Sequence, residues 1–308
     1  MIVIYMQGRL GNQLFQYAAA RMLQQKYHEE VLLDYSDIER NHKTKDDGWE
    51  DVLKYFNTSY NIISTNYTSG SLKCIKKINY YASRINLRIW EKSGKRIPKN
   101  AICYWIENLF GIHIFDTGYV PIKLNKRCKL NYYQGYFESP KYFEGLESIL
   151  FNELTPKFPP KKENKGLYRV IEENESICVS VRRGDFFSDK NANIYGICGR
   201  DYFLQGVRVI RERFPNAVVI AFSDDIEWVK RNLDFGSKVF YESGKDEVWE
   251  KLRLMYSCKH FVISNSTFSW WAQYLSRNRD KIVIAPNVWR RDGKKCAIYQ
   301  ESWIRLEI

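Results

Sequence analysis

The segment ICVSVRRGDFF, residues 177 to 187, constrains this chain more than any other. Ile177, Cys178, Val179 and Val181 are apolar and β-favouring, and they run straight into Arg182, Arg183, Gly184 and Asp185. A buried strand thus delivers two guanidiniums and a carboxylate at its carboxyl end, the edge where open α/β sheets bind ligands. Paired arginines suit a diphosphate, because each planar fork matches phosphate oxygens two at a time and keeps its charge at any working pH. A solvated Arg–Asp pair at a surface strand end is the competing reading of the same residues. The Arg-Gly-Asp tripeptide does not signal cell adhesion, which needs an exposed loop rather than the end of a buried strand.

The residues that follow alternate regularly. RDYFLQGVRVIRERFP predicts an amphipathic helix, AVVIAFSDD a strand ending in Ser223, Asp224 and Asp225, IEWVKRNL a helix and SKVFY a strand. DEVWEKLRLMYSC predicts another helix, HFVISNSTFSWWAQYLS a strand, turn and helix, and DKIVIAP a last strand. Repeated strand–helix units predict a right-handed, parallel, doubly wound sheet. Polar clusters at 182–185, 223–225 and 264–269 then share one sheet edge and converge on one crevice. In the third cluster Ser264, Asn265, Ser266 and Thr267 precede the helix FSWWAQYL. Hydroxyl residues at a helix start serve either as an anion site, helped by the helix dipole, or as an ordinary N-cap.

The chain begins with a short apolar strand, IVIYM, and continues as QGRLGNQLFQYAAARMLQQKY. Gly8 and Gly11 bracket a tight turn, and Leu14, Phe15, Ala18, Ala19, Met22 and Leu23 recur at helical spacing. This is a βα unit of the ligand-binding kind, without the mononucleotide or dinucleotide glycine fingerprint. The alternative is that the glycines merely permit the turn while Asn12 and Gln13 cap the helix. VLLDYSD predicts a second strand ending at Asp34. Between 40 and 140 the periodicity weakens. LNYYQGYFESPKYFEG, residues 130 to 145, predicts an aromatic strand turning into a helix at Ser139 and Pro140. LTPKFPPKKENKG, residues 154 to 166, is the best domain boundary, dividing the chain into 1–155 and 156–308.

At 308 residues and 44% hydrophobic, the chain has material for two ordinary cores. No apolar run approaches the roughly 18 residues of a membrane span, and no signal-peptide layout opens the sequence. Seven scattered cysteines argue for reduced thiols and a cytosolic setting. The histidines lack metal-ligand spacing and no Asp-x-Asp occurs, so no metal is expected. The formal charge of +12 favours anionic partners, whether nucleic acid, anionic lipid or phosphorylated small molecules. Part of the excess is local: residues 71 to 100 carry nine Lys or Arg against the single acid Glu91. There, Leu72, Ile75, Ile78, Ala82, Ile85 and Ile89 form a stripe that predicts a basic amphipathic helix, packed on its own domain or adsorbed to an anionic membrane surface.

Four segments, GRLGNQLFQYA, VSVRRGDF, SDDIEW and ISNSTFSWWAQYL, closely resemble in order and spacing the bacterial α-1,2-fucosyltransferases, and they span residues 8 to 275. The second and fourth are specific; the first is also similar to the Gly-Arg-Phe-Gly-Asn-Gln of protein O-fucosyltransferases. Two positions depart from the family. Ser180 stands where a His usually precedes the first Arg, and Lys251 stands where relatives often carry Asp.

The resemblance implies an α/β fold of two facing Rossmann-like domains of the GT-B type, with acceptor bound by the first and nucleotide sugar by the second. It implies metal-independent, inverting transfer of L-fucose from GDP-β-L-fucose to the 2-hydroxyl of a galactose, on a glycan that in relatives is often lipid-linked. Arg182 and Arg183 would neutralise charge building on departing GDP, while Ser266, Thr267 and Phe268 cradle its phosphates. Gly11, Asn12, Ser223, Asp224, Asp225 and Asn265 complete the expected donor site. Asp185 is the expected general base and Asp189 the second choice, with Asn12 orienting the acceptor if no strong base is used. A cytoplasmic enzyme, peripheral on the inner membrane face, is the corresponding setting. The alternatives are a glycosyltransferase using another nucleotide sugar, or a basic membrane- or nucleic-acid-binding module without chemistry. No recognised RNA-binding motif supports the last. Transfer is expected to persist in excess chelator; its loss there, with recovery on adding Mn²⁺, would refute metal independence.

Overall fold

The structure, a computed structural model, describes residues 1–42, 49–63, 109, 111–115, 117–184 and 194–308. The basic stripe at 71–100 and the carboxylates Asp185 and Asp189 lie outside the described residues.

Two parallel sheets organise the chain. The first comprises β1 (Ile2–Tyr5), β2 (Val31–Asp34), β3 (Asn61–Ile62), β4 (Ile112–Ile114) and β5 (Asn131–Gln134), in the order β3-β2-β1-β5-β4. The second comprises β6 (Ser176–Val181), β7 (Val218–Ser223), β8 (Val239–Tyr241), β9 (His260–Ile263), β10 (Val283–Pro286) and β11 (Ile304–Leu306), in the order β11-β10-β9-β6-β7-β8. Every residue of β1, β6, β7, β9 and β10 is buried, as parallel strands covered on both faces require. In the second sheet the chain steps outward through β7 and β8, then returns beside β6 at β9 and steps out the other way. This is doubly wound order, and its switch point falls between β6 and β9. The corresponding reversal in the first sheet falls between β1 and β5.

Helices α1 (Leu10–Tyr27), α2 (Ser36–His42), α3 (Glu147–Glu153), α4 (Lys165–Glu173), α5 (Arg200–Arg213), α6 (Ile226–Asn232), α7 (Val248–Ser257) and α8 (Thr267–Leu275) accompany the strands. The strand–helix order expected after residue 176 is the observed one, with β11 as a further strand. That strand is three residues long and largely exposed, so it leaves no periodic signal. The helix expected at Ser139 and Pro140 is a single 3-10 turn, Pro140–Tyr142. Phe143 follows it into the core against Phe15 and Trp271, and Gly145, at φ 83, turns the chain before α3 begins.

Buried helices α1 and α8 join the two halves. Eleven residues of α1 are buried, including Gln13 and Gln16, whose amides serve the preceding loop. Gln16 both accepts from the Gln7 amide and donates to the Gln7 carbonyl, while Gln13 donates to the carbonyls of Gly8 and Glu50. Neither Gln13 nor Asn12 caps the helix; Arg9 occupies that position without a side-chain bond. Gly11 lies so close to α8 that a Cβ there would sit 2.5 Å from Thr267 Oγ1 and 2.6 Å from the Phe268 amide nitrogen. Trp271 Nε1 donates to the Gly11 carbonyl at 3.0 Å. The Phe15 ring packs 4.6 Å from Trp270 and 5.0 Å from Trp271, all three fully buried. Truncating such a ring costs about 3–5 kcal/mol against about 1 kcal/mol for one neutral hydrogen bond, so aromatic burial dominates this junction.

The 154–166 stretch is tied to both sides. Lys157 donates its amide to Tyr55, and the buried Arg253 of α7 donates to the carbonyls of Pro156 and Phe158. Among the described residues no helix is long and apolar enough to cross a membrane. Because Gly11 has no room for a side chain, Gly11→Ala is expected to lower the free energy of unfolding by about 1–3 kcal/mol. Denaturant titration checks this, and an unchanged midpoint would show that α8 yields without cost.

Candidate active site

The carboxyl ends of β6 and β7 build one corner of the cleft. Asp224 accepts the backbone amides of Arg183 at 2.9 Å and Gly184 at 3.0 Å, and its Oδ2 lies 3.2 Å from Arg182 Nη1. A side chain at Gly184 would put Cβ 2.7 Å from that carboxylate, so the loop closes only around glycine. The Arg183 guanidinium lies 3.6 Å over the Trp228 ring, with its Nε 3.8 Å from Asp225 Oδ2. Asp225 caps α6 by accepting the Trp228 amide at 3.0 Å, and its own amide donates to Ser223 Oγ at 2.9 Å. Ser223, Asp224 and Asp225 therefore hold the arginines in place. Paired carboxylates also offset the repulsion between two neighbouring guanidiniums, which preorganises the forks for an anion.

The end of β9 builds the second corner. The Ser264 amide donates to the Ser180 carbonyl at 3.2 Å, locking the two strand ends side by side. Asn265 is buried, and its Nδ2 donates to Gly196 at 2.7 Å and Trp289 at 3.1 Å; it anchors flanking loops. Ser266 takes the N-cap position of α8 with no side-chain bond. The first amide to bond back within the helix is Trp270, to the Ser266 carbonyl at 2.9 Å, so the amides at 267–269 have no partner inside the helix. Thr267 Oγ1 donates to Asn12 Oδ1 at 3.0 Å, and the Phe268 amide faces Gly11. The two switch points thus meet, with Asn12 from one half against the helix start of the other.

The two departures from the family are engaged in protein contacts. Ser180 Oγ lies 2.7 Å from Ser269 Oγ at 7% exposure, so it ties β6 to α8 and presents no side chain to the cleft. Lys251 Nζ lies 3.2 Å from Glu242, whose fully buried carboxyl is pushed above its ordinary value by loss of water.

Sequence reasoning passed over a further cluster of charged and polar residues. Glu138 follows β5, and Arg290 and Tyr195 approach it from the second half. Arg290 Nε and Nη2 grip Asp292 at 3.1 and 2.5 Å, holding that carboxyl below its ordinary range, and Nη1 donates to the Tyr195 hydroxyl at 3.4 Å. The strand-end rule applied to DKIVIAPNVWRRD and to NYYQGYFE would have flagged Arg290 and Glu138.

Two doubly wound halves whose switch points meet around paired arginines define a glycosyltransferase of the two-domain, GT-B type. The chain belongs to the family described as Glycosyl transferase family 11, whose profile matches residues 1–307. It is 27% identical to an O-antigen biosynthesis glycosyltransferase, WbnK, of Escherichia coli over 97% of this chain and 98% of that one. It is 30% identical to an α-1,2-colitosyltransferase of Escherichia coli over 100% of this chain and 99% of that one. A 111-residue stretch, 35% of this chain and 30% of the other, is 31% identical to human galactoside α-(1,2)-fucosyltransferase 1. Among solved structures, a fucosyltransferase from Bradyrhizobium, NodZ, aligns over 88% of this chain and 91% of that one at 12% identity and a TM-score of 0.46.

Asp224→Asn removes one charge and turns an NH₂ toward an amide that needs an acceptor. Affinity for a nucleoside diphosphate is expected to fall at least about tenfold, the equivalent of about 1.4 kcal/mol. Calorimetric titration with GDP checks this, and unaltered affinity would show that the arginines need no orienting carboxylate.

Proposed function

We propose that the protein transfers L-fucose from GDP-β-L-fucose to the 2-hydroxyl of a galactose residue in a glycan, with inversion and without a metal ion. The observation that carries this reading is the Arg182–Arg183 pair, oriented by Asp224 and Asp225 at the end of β6, next to the strand that leads into α8. A diphosphate spanning that corner would meet two forked cations and a helix dipole, which together replace the divalent ion many nucleotide-sugar enzymes use. Because these groups are fixed before charge develops on the leaving phosphate, they lower the barrier without reorganising. Ser266, Thr267 and Phe268 would supply the phosphate cradle and Asn12 would orient the acceptor. The acceptor proton needs a carboxylate within reach; Asp185, the base expected from the sequence, lies outside the described residues.

A second reading keeps the α-1,2 linkage and changes the donor. The relative matched over the whole chain is named a colitosyltransferase, and colitose is the 3-deoxy counterpart of L-fucose. GDP release from GDP-fucose and GDP-colitose across a panel of galactosides, followed by linkage analysis of the product, separates the two. Fucosyl transfer at the 2-hydroxyl supports the first reading; turnover of GDP-colitose alone replaces it with the second. In the active pairing, Arg182→Lys keeps the charge but loses the fork, and turnover is expected to fall about tenfold or more. Unchanged turnover would make these arginines structural.

A further inference from the structure

We propose that Glu138 is the general base that takes the proton from the acceptor hydroxyl, an inference that rests on the glycosyl-transfer reading above. Its placement carries the argument. β5 pairs with β1 in register Tyr5↔Gln134, so the turn after β5 and the Gly8–Asn12 loop after β1 emerge side by side at the switch point of the first sheet. Asn12 meets Thr267 of α8 at 3.0 Å, and Arg290 and Tyr195 of the second half lie close enough to act on the Glu138 charge, so Glu138 sits where the two halves face each other.

The turn that presents Glu138 is strained and held. Phe137 adopts φ 53; His28, a left-handed helix cap, is the only other non-glycine residue with positive φ among the described residues. A bulky residue tolerates that conformation only when its surroundings fix it, and such residues gather at functional sites. Phe137 is buried, with Phe115 and Tyr142 rings 5.4 and 5.3 Å away, and the Ser139 amide donates back to the Phe137 carbonyl at 2.7 Å. Gly135 admits the Phe115 side chain, which would stand 2.9 Å from a Cβ there. The strain leaves Glu138 half-buried, with no hydrogen-bond or ion-pair partner among the described residues. A structural glutamate at a helix or turn end is ordinarily bonded, and this one is free to receive a proton.

The surrounding charges suit the task. Arg290 and Tyr195 face Glu138 from the second half, with Asp292 behind Arg290 and the half-buried Cys296 alongside. Tyr136 flanks it from its own turn, and Asp37 of α2 stands beyond Tyr136. Arg290 is already gripped by Asp292, so its hold on Glu138 is weak. Loss of water wins over that attraction and lifts the Glu138 carboxyl from 4.5 to about 7. A carboxylate poised near neutrality is the best matched to abstract a hydroxyl proton. In the step, the acceptor oxygen bonds to C1 of the sugar as its proton passes to a Glu138 oxygen. The C1–O bond to the β-phosphate breaks, and its electron pair stays on the phosphate facing Arg182.

Glu138→Gln tests this. Turnover with a galactoside is expected to fall about a hundredfold, with KM for both substrates and GDP affinity within about threefold of wild type. The wild-type rate should decline as pH falls through about 7, because the protonated acid cannot accept a proton, and that limb should vanish in the variant. Glu138→Asp should keep part of both rate and limb. Azide has no proton to lose, so azide transfer should proceed equally in wild type and Glu138→Gln. The assignment is overturned by unchanged turnover, by equal loss of azide and galactoside transfer, or by an acid limb that persists in Glu138→Gln but disappears in Asp185→Asn. Wild-type protein inert toward every GDP-sugar would reject the transfer reading itself. A titration of ¹³C-glutamate-labelled free protein is independent of any donor. One carboxyl titrating near 7 and lost in Glu138→Gln supports the proposal, and none above about 5 overturns it.

Discussion

The close approach of α1 to α8 at Gly11 sets the separation of the two sheets, and the cleft takes its geometry from that distance. With no Cβ at 11, the Trp271 indole reaches the Gly11 carbonyl and Thr267 reaches Asn12. Phe15, Phe143, Trp270 and Trp271 then fill the space behind, in an apolar core that runs unbroken from one sheet to the other. Two-domain enzymes of this architecture ordinarily hinge between halves. Here the hydrophobic contact is placed at the floor of the cleft, so any opening must pivot about the aromatic cluster and leave the switch points nearest the pivot least displaced.

How far the chain could be read before its structure depended on where each element's partners lie. Buried parallel strands are continuously apolar, so β6, β7 and β9 were plain from composition alone. β11 and the turn after Pro140 owe their shape to partners elsewhere: β11 pairs with β10, and Phe143 inserts beneath a tryptophan 128 positions later. The arginine corner was legible for the same reason as the strands, because Arg182 and Arg183 follow directly on an apolar run. Glu138 was not, since what distinguishes it is a left-handed Phe137 and the approach of Arg290, neither of which has a local signature. Ser180 shows the converse: a motif position that invites a functional comparison turns out to carry a hydroxyl buried against Ser269.

The cleft separates its charges by half. The arginines and their matched carboxylates belong to the second half, and Glu138, which makes no hydrogen bond or ion pair among the described residues, belongs to the first. Leaving-group charge and acceptor proton would accordingly be handled by different halves, each at its own switch point. Lys251 and Glu242 form a further pair at the edge of the same sheet, with the Glu242 carboxylate buried and Lys251 partly exposed.

The stacking of Arg183 on Trp228 has a practical side. An indole emits according to the charges and dipoles next to it, and this one has a guanidinium 3.6 Å from its ring. Any anion that draws the guanidinium away would alter that emission, whereas Trp270 and Trp271, shut in the core, would stay constant. Trp228, one of nine tryptophans in the chain, is therefore an optical reporter on the arginine corner, read as a change against the emission of the others.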